Sequence, residues 1–281
     1  MSLPFLAAAD VAERLTPTAA IDALQDALLA GLDPEADPPR GALALGAGEL
    51  LVMPSATAAH AVVKLVTVGG EPRIQGVCVV FDATTLAPVA LVDGIALTNV
   101  RTPAVSALAV RALAAPNARR LLVFGRGPQA HGHVEAIRAV RPIEHVDMLG
   151  RDADPAGVDE LVAAADVVCC ATTAREPLFD GALVADHATV VAIGSHEPDA
   201  RETDDALVGR ATVVVESRTS ALREAGDVIG ALAAGALRED ELVTLVDVVC
   251  DRAVVDRTRP RLFKSTGMAW EDAVVASALV R

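Results

Sequence analysis

The chain has 281 residues, with 38 acidic and 24 basic side chains and a formal net charge of −14. Hydrophobic residues make up 52% of the sequence, which is too apolar for intrinsic disorder. The acidic excess and an aromatic content of only 2% argue against a nucleic-acid partner, which needs cations and stacking rings. The length suffices for one large or two medium domains.

Neither a signal peptide nor a membrane span is expected. The amino terminus lacks a basic region followed by an apolar run, and no uncharged apolar stretch reaches about 18 residues. The four cysteines (Cys78, Cys169, Cys170 and Cys250) lie in apolar runs without metal-ligand spacing. This pattern predicts reduced core thiols in a cytoplasmic protein and no metal site.

Taken in chain order, the elements change character three times. Thr16-Pro17 predicts the start of a helix in which Ile21, Leu24 and Leu28 recur at helical spacing. Residues 41–92 then form short β-type runs, which favours an antiparallel or mixed sheet. From Gly94 onward, apolar strands alternate with helices, as in a parallel sheet that is covered on both faces. From about residue 247 the pattern is helical to the end.

The most specific local motif is Gly125-Arg126-Gly127-Pro128-Gln129-Ala130, a G-x-G-x-x-A sequence between a predicted strand and a predicted helix. The first glycine would make a tight turn, the second would let the backbone approach a pyrophosphate, and the alanine would permit close packing. Free N–H groups at the helix N-terminus would favour the anion. Dinucleotide binding is therefore predicted, with an ordinary tight turn as the alternative.

The end of the next strand bears on cofactor choice. Gly150 takes the place where NAD-binding domains carry an acidic residue, and Arg151 suits the 2′-phosphate of NADP. This favours NADP, while Asp152 keeps NAD open. Only residues 152–165 lie between Arg151 and Asp166, so the domain is short around the adenosine end of the cofactor.

We therefore predict an α/β protein with a Rossmann-type dinucleotide-binding domain at residues 104–249. Residues 1–103 and 250–281 would form a second, α+β domain built from both termini.

Further motifs run in order along nearly the whole chain. They are Pro39-Arg40, Met53-Pro54-Ser55, Lys64, Asp93-Gly94, Leu97-Thr98-x-x-Arg101-Thr102, Gly194-Ser195-His196-x-Pro198, Glu202 and Phe263-Lys264-Ser265-x-Gly267. Together with the glycine-rich turn, they resemble the ornithine cyclodeaminase/μ-crystallin family. The resemblance implies a dinucleotide-dependent enzyme that acts on amino acids or cyclic imino acids. It also implies a homodimer, assembled through a substrate-binding domain built by the two termini.

The resemblance further implies roles for individual residues. Arg40 and Lys64 would hold the substrate carboxylate, and Arg101 would lie near the cofactor diphosphate. Substrate contacts are also implied for Arg101, Ser265 and Thr266. The predicted cofactor contacts are Arg101, Thr102, Gly125, Gly127, Pro128, Gln129, Ala130, Arg151, Thr172 and Gly194. Lys64 also stands out by itself, because it interrupts an apolar strand where a cation is costly unless it meets an anion.

The chain departs from the cyclodeaminase pattern at two positions. Leu51 and His196 replace acidic residues, and cyclodeamination needs bases near the substrate nitrogen. Reduction of a preformed imine needs only a hydride donor, a carboxylate clamp and one acid. His196 and Lys64 are the predicted catalytic residues, with His196 as the acid and Glu197 and Glu202 as alternatives. His131 and His133 are interpreted as surface or packing residues.

The leading hypothesis is an NAD(P)H-dependent reductase of cyclic ketimines such as Δ1-pyrroline-2-carboxylate, giving proline-like amino acids, with NADP preferred to NAD. One alternative is an ornithine cyclodeaminase or an NAD-dependent amino-acid dehydrogenase of the same family. Another is a non-catalytic, NADP-binding protein of the crystallin type.

Overall fold

The computed structural model describes residues 3–280. The strands are β1 (Phe5–Leu6), β2 (Gly41–Leu45), β3 (Gly48–Ala56), β4 (His60–Gly69), β5 (Ile74–Asp82), β6 (Pro88–Asp93), β7 (Arg120–Phe124), β8 (His145–Leu149), β9 (Val167–Cys170), β10 (Thr189–Ala192), β11 (Thr212–Val215), β12 (Val243–Thr244) and β13 (Arg261–Lys264). The helices are α1 (Ala8–Arg14), α2 (Pro17–Leu29), α3 (Gly94–Leu113), α4 (Pro128–Arg138), α5 (Pro155–Ala164), α6 (Asp205–Arg210), α7 (Arg218–Glu224), α8 (Gly226–Ala233), α9 (Leu245–Val249) and α10 (Ala269–Leu279).

The chain divides into two compact units. The first contains residues 3–105 and 268–280, and the second is Ser106–Gly267. The division inside α3 lies close to the predicted boundary at residues 103 and 104, whereas the C-terminal division lies well beyond the predicted residue 250. Residues 1, 2 and 281 of the predicted α+β domain lie outside the described residues.

The first unit contains a mixed sheet in the order β1-β6-β5-β4-β3-β2. Strands β2 to β6 pair antiparallel with their neighbours, and β1 pairs parallel with β6. Helix α10 packs on β3 and β4 and also contacts α2. Thr16 caps α2 by accepting a hydrogen bond from the Ala19 amide, and the predicted apolar stripe of that helix is buried. The mixed sheet predicted from the short β-type runs is confirmed.

The second unit contains a parallel sheet in the order β12-β11-β13-β10-β9-β7-β8. Every pairing in it is parallel. The central strands are apolar along their length because both faces are covered. Strand β8 lies on one side of β7, and the next strands along the chain, β9 and then β10, lie on the other side. The strand order thus reverses at β7, and Rossmann-type sheets bind a dinucleotide at such a switch point, here between the neighbouring strands β7 and β9.

Two features of this sheet bear on the predictions. Helix α5 leads directly from β8 to β9, so β8 is the edge strand in the described part of the chain, in line with the short segment after Arg151. Strand β13 lies between β10 and β11, so the helical pattern predicted from about residue 247 is wrong for Arg261–Lys264. A four-residue buried run has too little periodicity to separate strand from helix. Because β13 belongs to this sheet, the C-terminal boundary of the second unit lies after β13, at Gly267.

Within residues 3–280, no helix combines the length and the apolar character needed to cross a membrane.

Candidate active site

The predicted cofactor residues of the second unit lie at the carboxyl ends of neighbouring strands. Gly125 directly follows β7, Thr172 lies just after β9, and Gly194 lies just after β10. Parallel strands end at the same edge of a sheet, and the order of this sheet reverses at β7. The structure therefore gathers these residues at the topological switch point.

The two glycines of the turn are required for different reasons. Gly125 has a φ of +124°, and a Cβ atom there would lie 2.5 Å from the carbonyl oxygen of Ala171. Gly127 is the N-cap of α4, and a Cβ atom there would meet nothing within 4 Å. Ala130 is fully buried. The backbone at Gly127 is thus open to a ligand at the start of α4, as a pyrophosphate site requires.

Glu202 joins the loops that follow β9 and β10. Its Oε1 accepts hydrogen bonds from the amide of Thr172 (2.9 Å) and from Thr172 Oγ1 (2.7 Å). Its Oε2 accepts a hydrogen bond from the amide of Gly194 (2.7 Å). Glu202 is fully buried, and burial raises its pKa against the opposing effects of Lys264 and these donors. Both carboxylate oxygens hold the loops in place, which speaks against the alternative of Glu202 as the acid.

A buried ion pair between Lys264 and Asp227 supports the loop that carries His196. Lys264 Nζ lies 3.1 Å from Asp227 Oδ2 and donates a hydrogen bond to the carbonyl oxygen of Ser195 (2.9 Å). Asp227 Oδ1 accepts hydrogen bonds from the amides of Glu202 and Thr203. Burial alone would raise the pKa of Asp227, but Lys264 and these donors hold it below its ordinary value. Asp227 was not singled out from the sequence, because no local motif marks it.

His196 itself is half-buried on this loop. The neighbouring Glu197, an alternative acid, has its carboxylate 2.6 Å from the guanidinium of Arg175. Glu197 is thus engaged in an ion pair, and the acid role of His196 stays a prediction.

Charged side chains of both signs lie near the end of β8, from the segment after β8 and from the turn after β7. Arg126 Nη1 lies 2.9 Å from Asp152 Oδ1, and Arg151 Nη2 donates a hydrogen bond to Thr173 Oγ1 (3.3 Å). A Cβ atom on Gly150 would lie 2.6 Å from Asp152 Oδ1. The Asp152 carboxylate thus lies beside Gly150, which takes the place where NAD-binding domains carry an acidic residue.

Ser265 and Thr266, predicted to contact the substrate, are buried in the second unit. Ser265 Oγ accepts a hydrogen bond from the amide of Gly267, and Thr266 Oγ1 lies 3.0 Å from Ser220 Oγ. The amide of Thr266 donates to Glu216 Oε2. These contacts order the segment after β13, and the substrate role of both residues stays a prediction.

The first unit brings Lys64 and Arg101 together on two acids of α10. Lys64 Nζ lies 2.6 Å from Asp272 Oδ2, and Arg101 Nε lies 3.3 Å from Asp272 Oδ1. Arg101 Nη1 donates a hydrogen bond to Glu271 Oε2 (2.8 Å). We call Lys64, Arg101, Glu271 and Asp272 the buried ion cluster, since each side chain is at most 8% exposed. Burial and then Arg101 lower the pKa of Lys64, whereas Asp272 opposes the shift.

The sequence indicated that Lys64 meets an anion but missed Glu271 and Asp272. The available signal was the presence of two adjacent acids in the otherwise apolar segment that forms α10. Thr102, predicted to contact the cofactor, is buried next to Arg101 on α3.

Arg40 is half-buried at the end of the loop that precedes β2. Asp37 anchors this loop, because its Oδ1 accepts a hydrogen bond from Ser55 Oγ (2.6 Å) and its Oδ2 one from the amide of Trp270 (2.7 Å). Burial raises the pKa of Asp37. Asp37, which was not selected from the sequence, thereby links Ser55 to the loop that carries Arg40. Arg40 and Ser55 both belong to the motifs that resemble the family.

The histidines of α4 lie as interpreted from the sequence. His131 is exposed, whereas His133 is fully buried between the Gln129 carbonyl oxygen (2.7 Å) and Ser106 Oγ (2.9 Å). Burial lowers the pKa of His133 to about 4. Among residues 3–280, no group of three or more His, Cys, Asp or Glu side chains is arranged to hold a metal ion.

Similarity to known proteins agrees with this geometry. The chain is 36% identical over 232 residues to a Delta(1)-pyrroline-2-carboxylate reductase of Colwellia psychrerythraea, which covers 74% of this chain and 73% of that protein. It is 34% identical over 252 residues to the ketimine reductase mu-crystallin of Mus musculus, covering 82% of this chain and 79% of that protein.

A solved structure of Thermococcus litoralis Delta(1)-pyrroline-2-carboxylate reductase in complex with NADH and L-proline has the same fold. Its TM-score is 0.91 at 26% identity, over 99% of this chain and 96% of that chain. The sequence model of the ornithine cyclodeaminase/mu-crystallin family matches residues 3–158 and 155–281. The chain therefore belongs to the ornithine cyclodeaminase/mu-crystallin family.

Proposed function

We propose that the protein is an NAD(P)H-dependent reductase of cyclic ketimine carboxylates such as Δ1-pyrroline-2-carboxylate, giving proline-like amino acids. The observation that carries this is the replacement of the cyclodeaminase acids. Leu51 is buried against Met53, Val66 and Ala269, so an apolar contact stands where a base would be needed. His196 replaces the second acid. The names of the similar reductases support the same reaction.

The residues at the switch point fit a nicotinamide dinucleotide. The open backbone at Gly127 would receive the pyrophosphate, with Pro128, Gln129 and Ala130 in the first turn of α4, while Thr172 and Gly194 would line the neighbouring loops. When bound, the reduced cofactor supplies the hydride. The chain itself supplies cations for the substrate carboxylate, which we assign to Arg40, Lys64 and Arg101, and a proton donor for the ring nitrogen, which we assign to His196.

We further propose that NADP is preferred to NAD. The support is Arg151, whose exposed guanidinium follows Gly150 at the end of β8 and suits a phosphate dianion. Replacing Arg151 by Ala should lower the affinity for NADPH by about tenfold and leave that for NADH unchanged. The matched control is Arg238→Ala, an exposed arginine that pairs with Asp240 near the opposite edge of the sheet. Equal effects of Arg151→Ala on both cofactors would contradict the assignment.

We also propose a cytoplasmic homodimer that assembles through the first unit. Its edge strand β2 is exposed along its whole length, including Leu43 and Leu45, and exposed apolar patches often mark subunit contacts.

One pair of assays tests the function. The purified protein is incubated with NADPH or NADH and Δ1-pyrroline-2-carboxylate, and separately with L-ornithine and NAD⁺, while cofactor absorbance and ammonia are followed. We expect imine-dependent oxidation of the reduced cofactor. Ammonia from ornithine would assign a cyclodeaminase instead, and cofactor binding without turnover in either assay would assign a non-catalytic binding protein.

A further inference from the structure

An arginine and an aspartate side chain meet at Gly150, the position where NAD-binding domains carry an acidic residue. A Cβ atom on Gly150 would lie 2.6 Å from Asp152 Oδ1 and 2.8 Å from Arg126 Nη1. Arg126 lies between the two glycines of the turn after β7, and Asp152 lies in the segment after β8. The two side chains therefore occupy the space into which a side chain at position 150 would extend.

Arg126 and Asp152 form an exposed ion pair within the second unit. Arg126 Nη1 lies 2.9 Å from Asp152 Oδ1 and 3.2 Å from Asp152 Oδ2, so one nitrogen makes both contacts. The strong arginine–carboxylate pairs use two nitrogens in parallel. The two side chains are also 55% and 74% exposed, and exposed ion pairs contribute little to stability. A ligand anion can therefore replace the carboxylate on Arg126 at low cost.

The carboxylate of Asp152 is charged at neutral pH. A backbone hydrogen bond at Asp152 and then the Arg126 guanidinium hold its pKa below the ordinary value. A carboxylate at this place would accept a hydrogen bond from the ribose 2′-hydroxyl of NAD. It would repel the 2′-phosphate of NADP, because a phosphate monoester carries about −1.5 to −2 charges at pH 7. Asp152 thus favours one dinucleotide and opposes the other.

Resting on the proposed function, we propose that Arg126 and Asp152 are specificity-determining residues for the dinucleotide. With NAD, the ion pair stays closed and Asp152 accepts a hydrogen bond from the ribose 2′-hydroxyl. With NADP, the 2′-phosphate replaces the carboxylate on Arg126, because it brings more charge and three acceptor oxygens to the planar guanidinium. Asp152 is then the group that limits NADP binding, and Arg126 is a second cation for the phosphate beside Arg151.

Arg151 and Arg126 reach the end of β8 from different segments and have different partners. Arg151 Nη2 donates a hydrogen bond to Thr173 Oγ1 (3.3 Å), in the loop after β9. Arg126 instead pairs with a carboxylate that competes with the phosphate. Loss of Asp152 should therefore release Arg126 and not Arg151, which makes the contributions of the two arginines separable.

The test measures how the 2′-phosphate alone changes affinity. Dissociation constants of NADPH and NADH are measured by fluorescence titration at pH 7 without substrate. Low ionic strength is used, because salt screens exposed charges. Adenosine 2′,5′-bisphosphate and AMP, which lack the nicotinamide, are compared by calorimetry. In each pair of ligands, the ratio of the two dissociation constants reports the contribution of the 2′-phosphate.

The two variants should shift these ratios in opposite directions. Asp152→Asn should tighten NADPH binding about fivefold, since one repulsive charge and the competitor for Arg126 are both removed. It should weaken NADH binding several-fold, because a neutral amide is a poorer acceptor for the ribose hydroxyl. Arg126→Met should weaken NADPH binding about tenfold and leave NADH binding nearly unchanged. The bisphosphate and AMP should follow the same pattern.

The matched controls are Arg238→Met and Asp240→Asn. Arg238 Nε lies 3.0 Å from Asp240 Oδ1 in a similarly exposed ion pair near the opposite edge of the sheet, so both changes should leave the ratios as they are. Weaker NADPH binding by Asp152→Asn overturns the proposal, because Asp152 would then hold Arg126 in place for the ligand. Ratios that Arg126→Met does not change also overturn it, since Arg151 alone would then serve the phosphate.

Turnover is measured separately, so the two proposals can fail independently. A protein whose variants shift the ratios as expected, but which does not reduce the ketimine, retains the cofactor selectivity and loses the reductase function. A protein that reduces the ketimine, with ratios that neither variant shifts, retains the function and loses the selectivity. A wild type that binds none of these nucleotides overturns both.

Discussion

A buried ammonium such as that of Lys64 requires a counter-ion, because an isolated charge in apolar surroundings costs several kcal/mol. Here the counter-ion is Asp272, which also contacts Arg101. Leaving one partner of a buried ion pair without its counter-ion destabilises a protein more than removing an exposed ion pair does. The cluster therefore holds its two cations in fixed positions, so the substrate carboxylate that we propose for this site would not have to order them on binding.

At the residue level, His196→Gln should lower kcat for ketimine reduction by about a hundredfold at neutral pH, because glutamine cannot donate a proton as an imidazolium does. The KM for the cofactor and its dissociation constant should not change. Steady-state kinetics with NADPH and Δ1-pyrroline-2-carboxylate measure the effect. His131→Gln, an exposed histidine on α4, is the control. Unchanged turnover in His196→Gln would remove His196 from the acid role.

At the scale of elements, substitutions in the turn from β7 into α4 should affect stability and cofactor binding separately. Gly127→Ala should leave the melting temperature nearly unchanged, because the added Cβ atom meets nothing within 4 Å and φ is −86°. It should nevertheless weaken NADPH binding by about tenfold or more, since the methyl group would occupy the space that a pyrophosphate needs. Fluorescence titration and thermal unfolding measure the two properties.

Gly125→Ala is the matched comparison and should behave in the opposite way. The left-handed backbone and the contact with the Ala171 carbonyl oxygen should lower the free energy of unfolding by at least about 1–2 kcal/mol. If Gly127→Ala instead destabilised the protein and left cofactor affinity intact, the backbone of this turn would not be the pyrophosphate site.

Helix α4 should also make stability depend on pH through His133. Its pKa is about 4 in the folded protein, against an ordinary value of 6.5. Below pH 6.5 the unfolded chain therefore takes up a proton that the folded chain does not. The free energy of unfolding should fall between pH 6.5 and 4, by up to about 3 kcal/mol from this group.

Chemical denaturation across this pH range, compared between the wild type and His133→Gln, measures the contribution. The variant should lose this part of the pH dependence because glutamine does not titrate. His131→Gln on the same helix should retain it, since that side chain is exposed. Identical pH profiles for the wild type and His133→Gln would contradict the assignment.

For the whole molecule, we expect a dimer that depends on β2. Leu43 and Leu45 are 59% and 49% exposed, and replacing both by Glu would place charges in the proposed contact. Sedimentation velocity should then show a monomer where the wild type is a dimer. Val254→Glu is the control, because Val254 is 96% exposed in the second unit. A double variant that remains dimeric would exclude β2 as the contact.

The net charge of −14 opposes the approach of an anionic substrate and cofactor, because the field of the whole molecule repels both. Recognition must therefore depend on local groups. Two of the cations that we assign to the substrate carboxylate, Lys64 and Arg101, are held by ion pairs with buried carboxylates of α10.

Local patterns were enough to predict much of this protein. The apolar runs of β2 to β6, the G-x-G-x-x-A turn and the helix start at Thr16-Pro17 depend on residues close in sequence, whose steric and hydrogen-bonding preferences are largely local. The lysine in β4 likewise indicated an anionic partner, which the resemblance gave as the substrate carboxylate, because burial of a charge has a cost wherever it occurs.

The tertiary structure alone decided the partners of these groups. Asp272 lies more than two hundred positions after Lys64, and Asp227 and Lys264 meet from separate helix and strand segments. Strand β13 became a strand because it fills a gap between β10 and β11, where its backbone groups find partners that its own short sequence cannot specify. Contacts between distant segments depend on how sheets and helices pack, and the pattern of a single segment carries no record of that packing.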